Sequence, residues 1–182
     1  MRRFLFVTIL GSLFLALACG SSEDDEPRST PTPVPTPADF GAIRDVDVTS
    51  LPETADLLQR LGSGRVAERE VFYTDLTGDL RDEAVVPVTA DGTLGNIAYL
   101  VYTLKAGKPA LILTRTMDRT TASGLVMDTD DFGALRETVG VYGAEDPLCC
   151  PGQLRLTTFR WDGTALQVDG EEKVDQPNKA KQ

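Results

Sequence analysis

The chain has 182 residues, 41% of them hydrophobic, with a formal net charge of -10. That supports one core-bearing domain of about 130–140 residues and makes the chain a poor partner for nucleic acid or anionic lipid, which want Lys/Arg patches. There is no His, which removes Ser-His and Cys-His nucleophile pairs, His-ligated zinc and the usual general base near neutral pH.

Arg2 and Arg3 precede an apolar run from Phe4 to Leu17, too short to span a bilayer comfortably. It closes on Ala16, Leu17, Ala18 and Cys19. Small residues before a Cys at this place resemble the lipobox of bacterial lipoproteins, with Ala16 where Leu is usual. The resemblance implies that residues 1–18 are a lipoprotein signal peptide and that Cys19 becomes the new N-terminus, lipidated with palmitate or similar chains. Several acyl chains hold a protein firmly where one is marginal. The other reading is an ordinary cleaved signal with a chance Cys. Loss of Arg2 and Arg3 with the signal takes the charge from -10 to -12.

Residues 19–39 read as a disordered tether rich in Pro, Thr and acids, with nothing to bury. Pro at every second place from Pro31 to Pro37 favours polyproline II at ~3.1 Å per residue. Fully extended, the segment holds a domain up to about 50 Å from its anchor. Glu23, Asp24, Asp25 and Glu26 add repulsion from an anionic surface. A glycosylated Thr-Pro stalk is the alternative.

The expected globular domain spans residues 40–168, and residues 169–182 read as a polar, frayed C-terminal tail. Ser50 and Glu53 form a capping box with Pro52 in the first turn, which predicts a helix over residues 51–61. Leu51, Ala55, Leu58 and Leu61 share its apolar face beside Leu57, and Gly62 is the C-cap. Strands follow over residues 66–73, 83–89, 97–104, 110–114, 124–128, 135–142, 154–161 and 164–168. Pro87 cannot donate to a ladder and predicts an edge or a bulge. The strand from Ile97 is apolar on both faces and reads as central. Asp91-Gly92 and Asp130-Asp131 mark turns, and Asp162-Gly163 predicts a two-residue hairpin with Phe159 opposite Leu166 and Trp161 opposite Thr164. Leu154 and Leu156 then face the other way, so either both faces are covered or a bulge intervenes. The fold class is α+β: a mostly antiparallel sheet of about seven or eight strands with one N-terminal helix.

Two constellations carry chemistry. Asp75, Thr77, Asp79 and Glu83 place oxygens at positions one, three, five and nine of a loop, with the Arg81 carbonyl at seven. The spacing resembles the calcium loop of FG-GAP repeats and, more distantly, EF-hands, because a hard cation wants several oxygens from one tight loop. Leu80 stands where Gly is usual, and Leu disfavours the left-handed turn. The alternative is a solvated turn in which Asp75 and Thr77 bond their own backbone. The second constellation is Cys149-Cys150 between Pro147 and Pro151. With Cys19 lipidated, the two either bond each other in a strained ring that stiffens a turn, remain free thiols, or do redox work.

The order Asp75-Leu76-Thr77-Gly78-Asp79, Glu83 to Val86, Gly107-Lys108-Pro109, Asp146 to Pro151 and Arg160 to Gly163 is similar to a group of uncharacterised bacterial exported lipoproteins, LppP/LprE-like. The resemblance covers residues 70–168. It implies a cell-envelope lipoprotein and brings no reaction or catalytic residues with it. The expectation is therefore a non-enzymatic monomer, anchored to the outer side of a bacterial membrane through Cys19, that binds an envelope protein or ligand and no nucleic acid. A calcium-stabilised module and a thiol-redox protein are the alternatives, and calcium is the one cofactor the sequence suggests.

Overall fold

The computed structural model describes residues 40–90, 95–117, 125–130, 132–147 and 150–176. The signal segment, Cys19, the tether, Asp91-Gly92, Asp131 and Cys149 lie outside them. Among these residues one α-helix, α1 (Pro52–Leu61), accompanies nine strands, all antiparallel. They are β1 (Arg65–Val66), β2 (Phe72–Thr74), β3 (Glu83–Thr89), β4 (Asn96–Lys105), β5 (Lys108–Thr116), β6 (Leu125–Thr129), β7 (Leu135–Val141), β8 (Gln153–Trp161) and β9 (Leu166–Asp175). The α+β class, mainly antiparallel β with a single helix, is therefore the observed one.

The ninth strand arises where the expected strand over residues 66–73 is broken. A 3-10 turn at Glu68–Glu70 divides it into β1 and β2, and both pair with the same edge of β3. Pro87 lies opposite that break. Its carbonyl accepts from the Ala67 amide at 2.8 Å, and the N–H it lacks has no ladder acceptor to meet. Pro87 is thus at neither a bare edge nor a bulge of its own: it pairs with Tyr99 in register on one side, and on the other the partner strand is interrupted.

The helix differs from expectation at its start. Ser50 turns back to donate its hydroxyl to the Asp47 carbonyl at 3.0 Å, and Leu51 takes the N-cap place without a side-chain cap. The Ser50–Glu53 capping box does not form, because the Asp47-Thr49 turn has already claimed Ser50. Gly62 closes the helix in the left-handed conformation at φ 65, as its lack of a Cβ permits. The buried face is rotated by about one position. Ala55 is exposed, while Thr54 and Leu57 are buried and Leu51, Leu58 and Leu61 pack beside them. Thr54 tolerates burial because its hydroxyl meets the Val48 carbonyl at 2.8 Å and the Tyr102 hydroxyl at 2.9 Å.

Two cores share β3 and β4. On one face Ala84, Val86, Val88, Ala98, Leu100 and Tyr102 pack against Ile43, Val46 and the helix. On the other, Val85, Tyr99 and Val101 pack against Leu135, Val139, Phe159 and Leu166. The central place of β4 and the Ala84–Val86–Val88 face are as the alternation predicts. Strands β1 to β5 form one half of the sheet and β6 to β9 the other. Their backbones join at one pair, Asn96 with Leu125, so the second half folds over the Val85–Tyr99–Val101 face.

The last hairpin is also corrected. Its loop has four residues, not two, and Trp161 faces Leu166 while Phe159 faces Val168. Asp162 sets this longer loop: one carboxylate oxygen accepts the amides of Thr164 at 2.8 Å and Ala165 at 2.9 Å. A bulge between Thr158 and Phe159 resolves the two-faced pattern of β8. Strand β9 then continues beyond Val168 to Asp175 and pairs with β8 throughout, so residues 169–175 are ladder and not frayed tail.

Candidate functional site

The acidic loop connects β2 to β3. Asp75 Oδ1 accepts the Gly78 amide at 2.7 Å and Oδ2 the Leu80 amide at 2.9 Å, while Asp79 Oδ1 accepts the Arg81 amide at 2.9 Å. Glu83 lies beneath, fully buried. Its Oε2 accepts the amides of Leu76 at 2.7 Å and Thr77 at 3.0 Å, and its Oε1 accepts the Thr103 hydroxyl at 2.7 Å. Burial pushes the Glu83 carboxyl above its usual range, and the Thr103, Leu76 and Thr77 donors pull it partly back. The alternation of oxygens thus builds a self-bonded turn. Asp75 and Asp79 serve the loop's backbone from outside and Glu83 from within. Among the described residues no group of three or more acidic, Cys or His side chains is gathered to hold a metal ion.

Leu80 overturns one expectation. It does adopt the left-handed conformation, at φ 67, two residues after Gly78 at φ 76. The Asp75 clamp on its amide holds the backbone there. Its side chain is 93% exposed, so the crowding that disfavours Leu in this region is met only by its own backbone.

The turn between β6 and β7 packs against this loop. Asp130 Oδ1 accepts the amides of Phe132 and Ala134, each at 2.9 Å, and the Ala134 donor first of all holds the Asp130 carboxyl below its usual range. Gly133, at φ 78, lies so near that a Cβ there would sit 3.5 Å from the Asp75 carbonyl. Phe132 beside it is 85% exposed.

The Cys segment is elsewhere. Cys150 is disulfide-bonded, and its amide donates to the Pro147 carbonyl at 2.9 Å. Asp146 Oδ2 accepts the amides of Gly143 at 2.8 Å and Gly152 at 2.6 Å, tying the chain just after β7 to the chain just before β8. A groove of about 500 Å³ opens there, with Tyr142, Asp146 and Asp175 among its walls. This loop follows Val141 at one end of β7, and the acidic loop meets the turn before Leu135 at the other, roughly 20 Å away by strand rise. The two constellations do not form one site.

A third polar cluster escaped the sequence reading. Glu137, with its side chain 2% exposed, accepts a two-pronged contact from Arg115 at 2.9 Å and 2.9 Å and the Tyr99 hydroxyl at 3.0 Å. Burial is the main cause that pushes the Tyr99 hydroxyl far up, and the bond to Glu137 raises Arg115 further. The Arg115 guanidinium also lies 5.2 Å from the Phe159 ring centre. The signal was present: Glu137 interrupts the Leu135–Val139 inward alternation of β7. The cluster pins the β4–β5 pair to β7, so its role is cohesion between the halves.

No described helix is long and apolar enough to cross a membrane. No family model, curated protein or solved structure matches the chain.

Proposed function

We propose that this protein is a lipid-anchored extracytoplasmic domain of the bacterial cell envelope that works by binding and not by catalysis. One observation supports the display arrangement: Phe40, which follows the Pro-rich run closely in sequence, is held by the domain. Phe40 donates its amide to the Gly107 carbonyl at 2.8 Å, fastening the tether side of the chain to the β4–β5 hairpin. That hairpin and the acidic loop occupy the same end of the sheet, since Thr103 near the end of β4 bonds Glu83 at the start of β3. An acyl group on Cys19, a spacer of about 50 Å and a compact body together form an anchored display module. The buried carboxylates of the described residues, Glu83 and Glu137, serve the fold, which supports a binding role over a catalytic one.

Labelled palmitate tests the anchor. The wild-type chain takes up label and fractionates with membranes, and Cys19→Ser loses both. Equal membrane retention by Cys19→Ser overturns the proposal.

A further inference from the structure

We propose that Leu80 and Phe132 form a two-pronged apolar contact by which the domain docks on a protein partner whose apolar pockets are bordered by Lys and Arg. The inference rests on the binding role above and names its surface. Leu80 and Phe132 are exposed by 93% and 85%, the most of any large apolar side chains described. They stand on adjacent turns, joined where Gly133 meets the Asp75 carbonyl. Each is held by a carboxylate clamp on its own amide, Asp75 for Leu80 and Asp130 for Phe132. Contacts fixed before binding lose little freedom on docking. Leu80 does this from a backbone conformation that Gly would occupy without strain, so the side chain has no folding role to explain it.

Beside Leu80 is a groove of about 270 Å³ whose walls include Ile43, Arg44, Asp82 and Leu104. It is large enough for one apolar side chain of the partner, the knob-and-pocket pattern of binding hot spots. Charge selects the occupant. Asp75, Asp79, Asp82 and Asp130 flank the two prongs; Asp82 neutralises Arg44 at 2.7 Å and Arg81, in the wall of the same groove, offsets a second acid, so four carboxylates less two guanidiniums leave a net of about -2. A second copy of a chain carrying -10, or an anionic bilayer, meets repulsion here, whereas a cationic protein surface is drawn in.

The test uses the full chain and a dye-labelled 14-residue amphipathic peptide of Leu and Lys, with a Leu/Glu peptide and phosphatidylglycerol vesicles in parallel. The Leu/Lys peptide binds saturably, while the Leu/Glu peptide and the vesicles do not. Leu80→Gly and Phe132→Ser, which change no charge, each weaken that binding about tenfold. Leu80→Gly also raises the melting temperature, so its loss of binding cannot be unfolding. The proposal is overturned if the Leu/Lys peptide does not bind, or if the two variants bind it as the wild type does. It is equally overturned if the two side chains govern vesicle binding or self-association instead. Palmitate uptake at Cys19 reads the anchor independently of each of these results.

Discussion

Replacing Arg115 by Met tests how the two halves of the sheet are held. The variant keeps an apolar stem of similar length and removes two hydrogen bonds of 2.9 Å, leaving the Glu137 carboxylate with Tyr99 alone. The Glu137 side chain is 2% exposed, so its charge has almost no water to turn to. Stranding one partner of a fully buried pair costs about 3–5 kcal/mol. Arg115 is itself 35% exposed, and water entering by its path lowers the expected loss to roughly 2–3 kcal/mol. In a domain of this size that is roughly 10 °C in Tm. Glu137→Gln is milder, about 1 kcal/mol, because the amide still accepts from Arg115 and the guanidinium reaches solvent. Urea unfolding followed by the fluorescence of Trp161, the single Trp, measures both losses. If Arg115→Met costs less than Glu137→Gln, the cluster does not fasten the two halves.

Two further outcomes concern the fold. Burial raises the Glu83 carboxyl, so its contribution to stability is full below the unfolded carboxyl range and is lost as pH rises through the folded value. Glu83→Gln, which cannot ionise, should gain on the wild type between pH 4 and pH 8 in urea midpoints; a widening deficit would contradict the burial argument. A chain ended after Val168 leaves the Gln153–Thr158 part of β8 without its partner and should melt roughly 5–10 °C lower than the full chain. An unchanged Tm would return residues 169–175 to the status of a dispensable tail.

Much of the sheet was legible because burial on one face writes a period of two. The alternation Ala84–Val86–Val88 located β3 to the residue, and the two-faced run from Ile97 identified the central strand. The helix was legible in place but not in orientation, since Thr54 looks polar until Val48 and Tyr102 supply partners for its hydroxyl. The far half of β9 was illegible for another reason. Asp169, Glu171, Glu172 and Lys173 bury no side chain, and their order comes from the backbone ladder to β8. The four-residue turn at Asp162 depended on which amides its carboxylate would take, a choice that an Asp-Gly pair leaves open.

The sequence by itself determined the mainly antiparallel α+β class, the central strand and the turn at Asp75–Glu83, because local pattern and burial demand them. Tertiary structure decided what that turn is. It set Glu83 inside as a brace and forced Leu80 into the left-handed region. It also laid the Phe132 turn against Asp75, since contacts between strands distant in the chain leave no trace in local spacing. The same reason hid the Tyr99–Arg115–Glu137 cluster, whose members come from three strands and meet only when the second half of the sheet folds over the first.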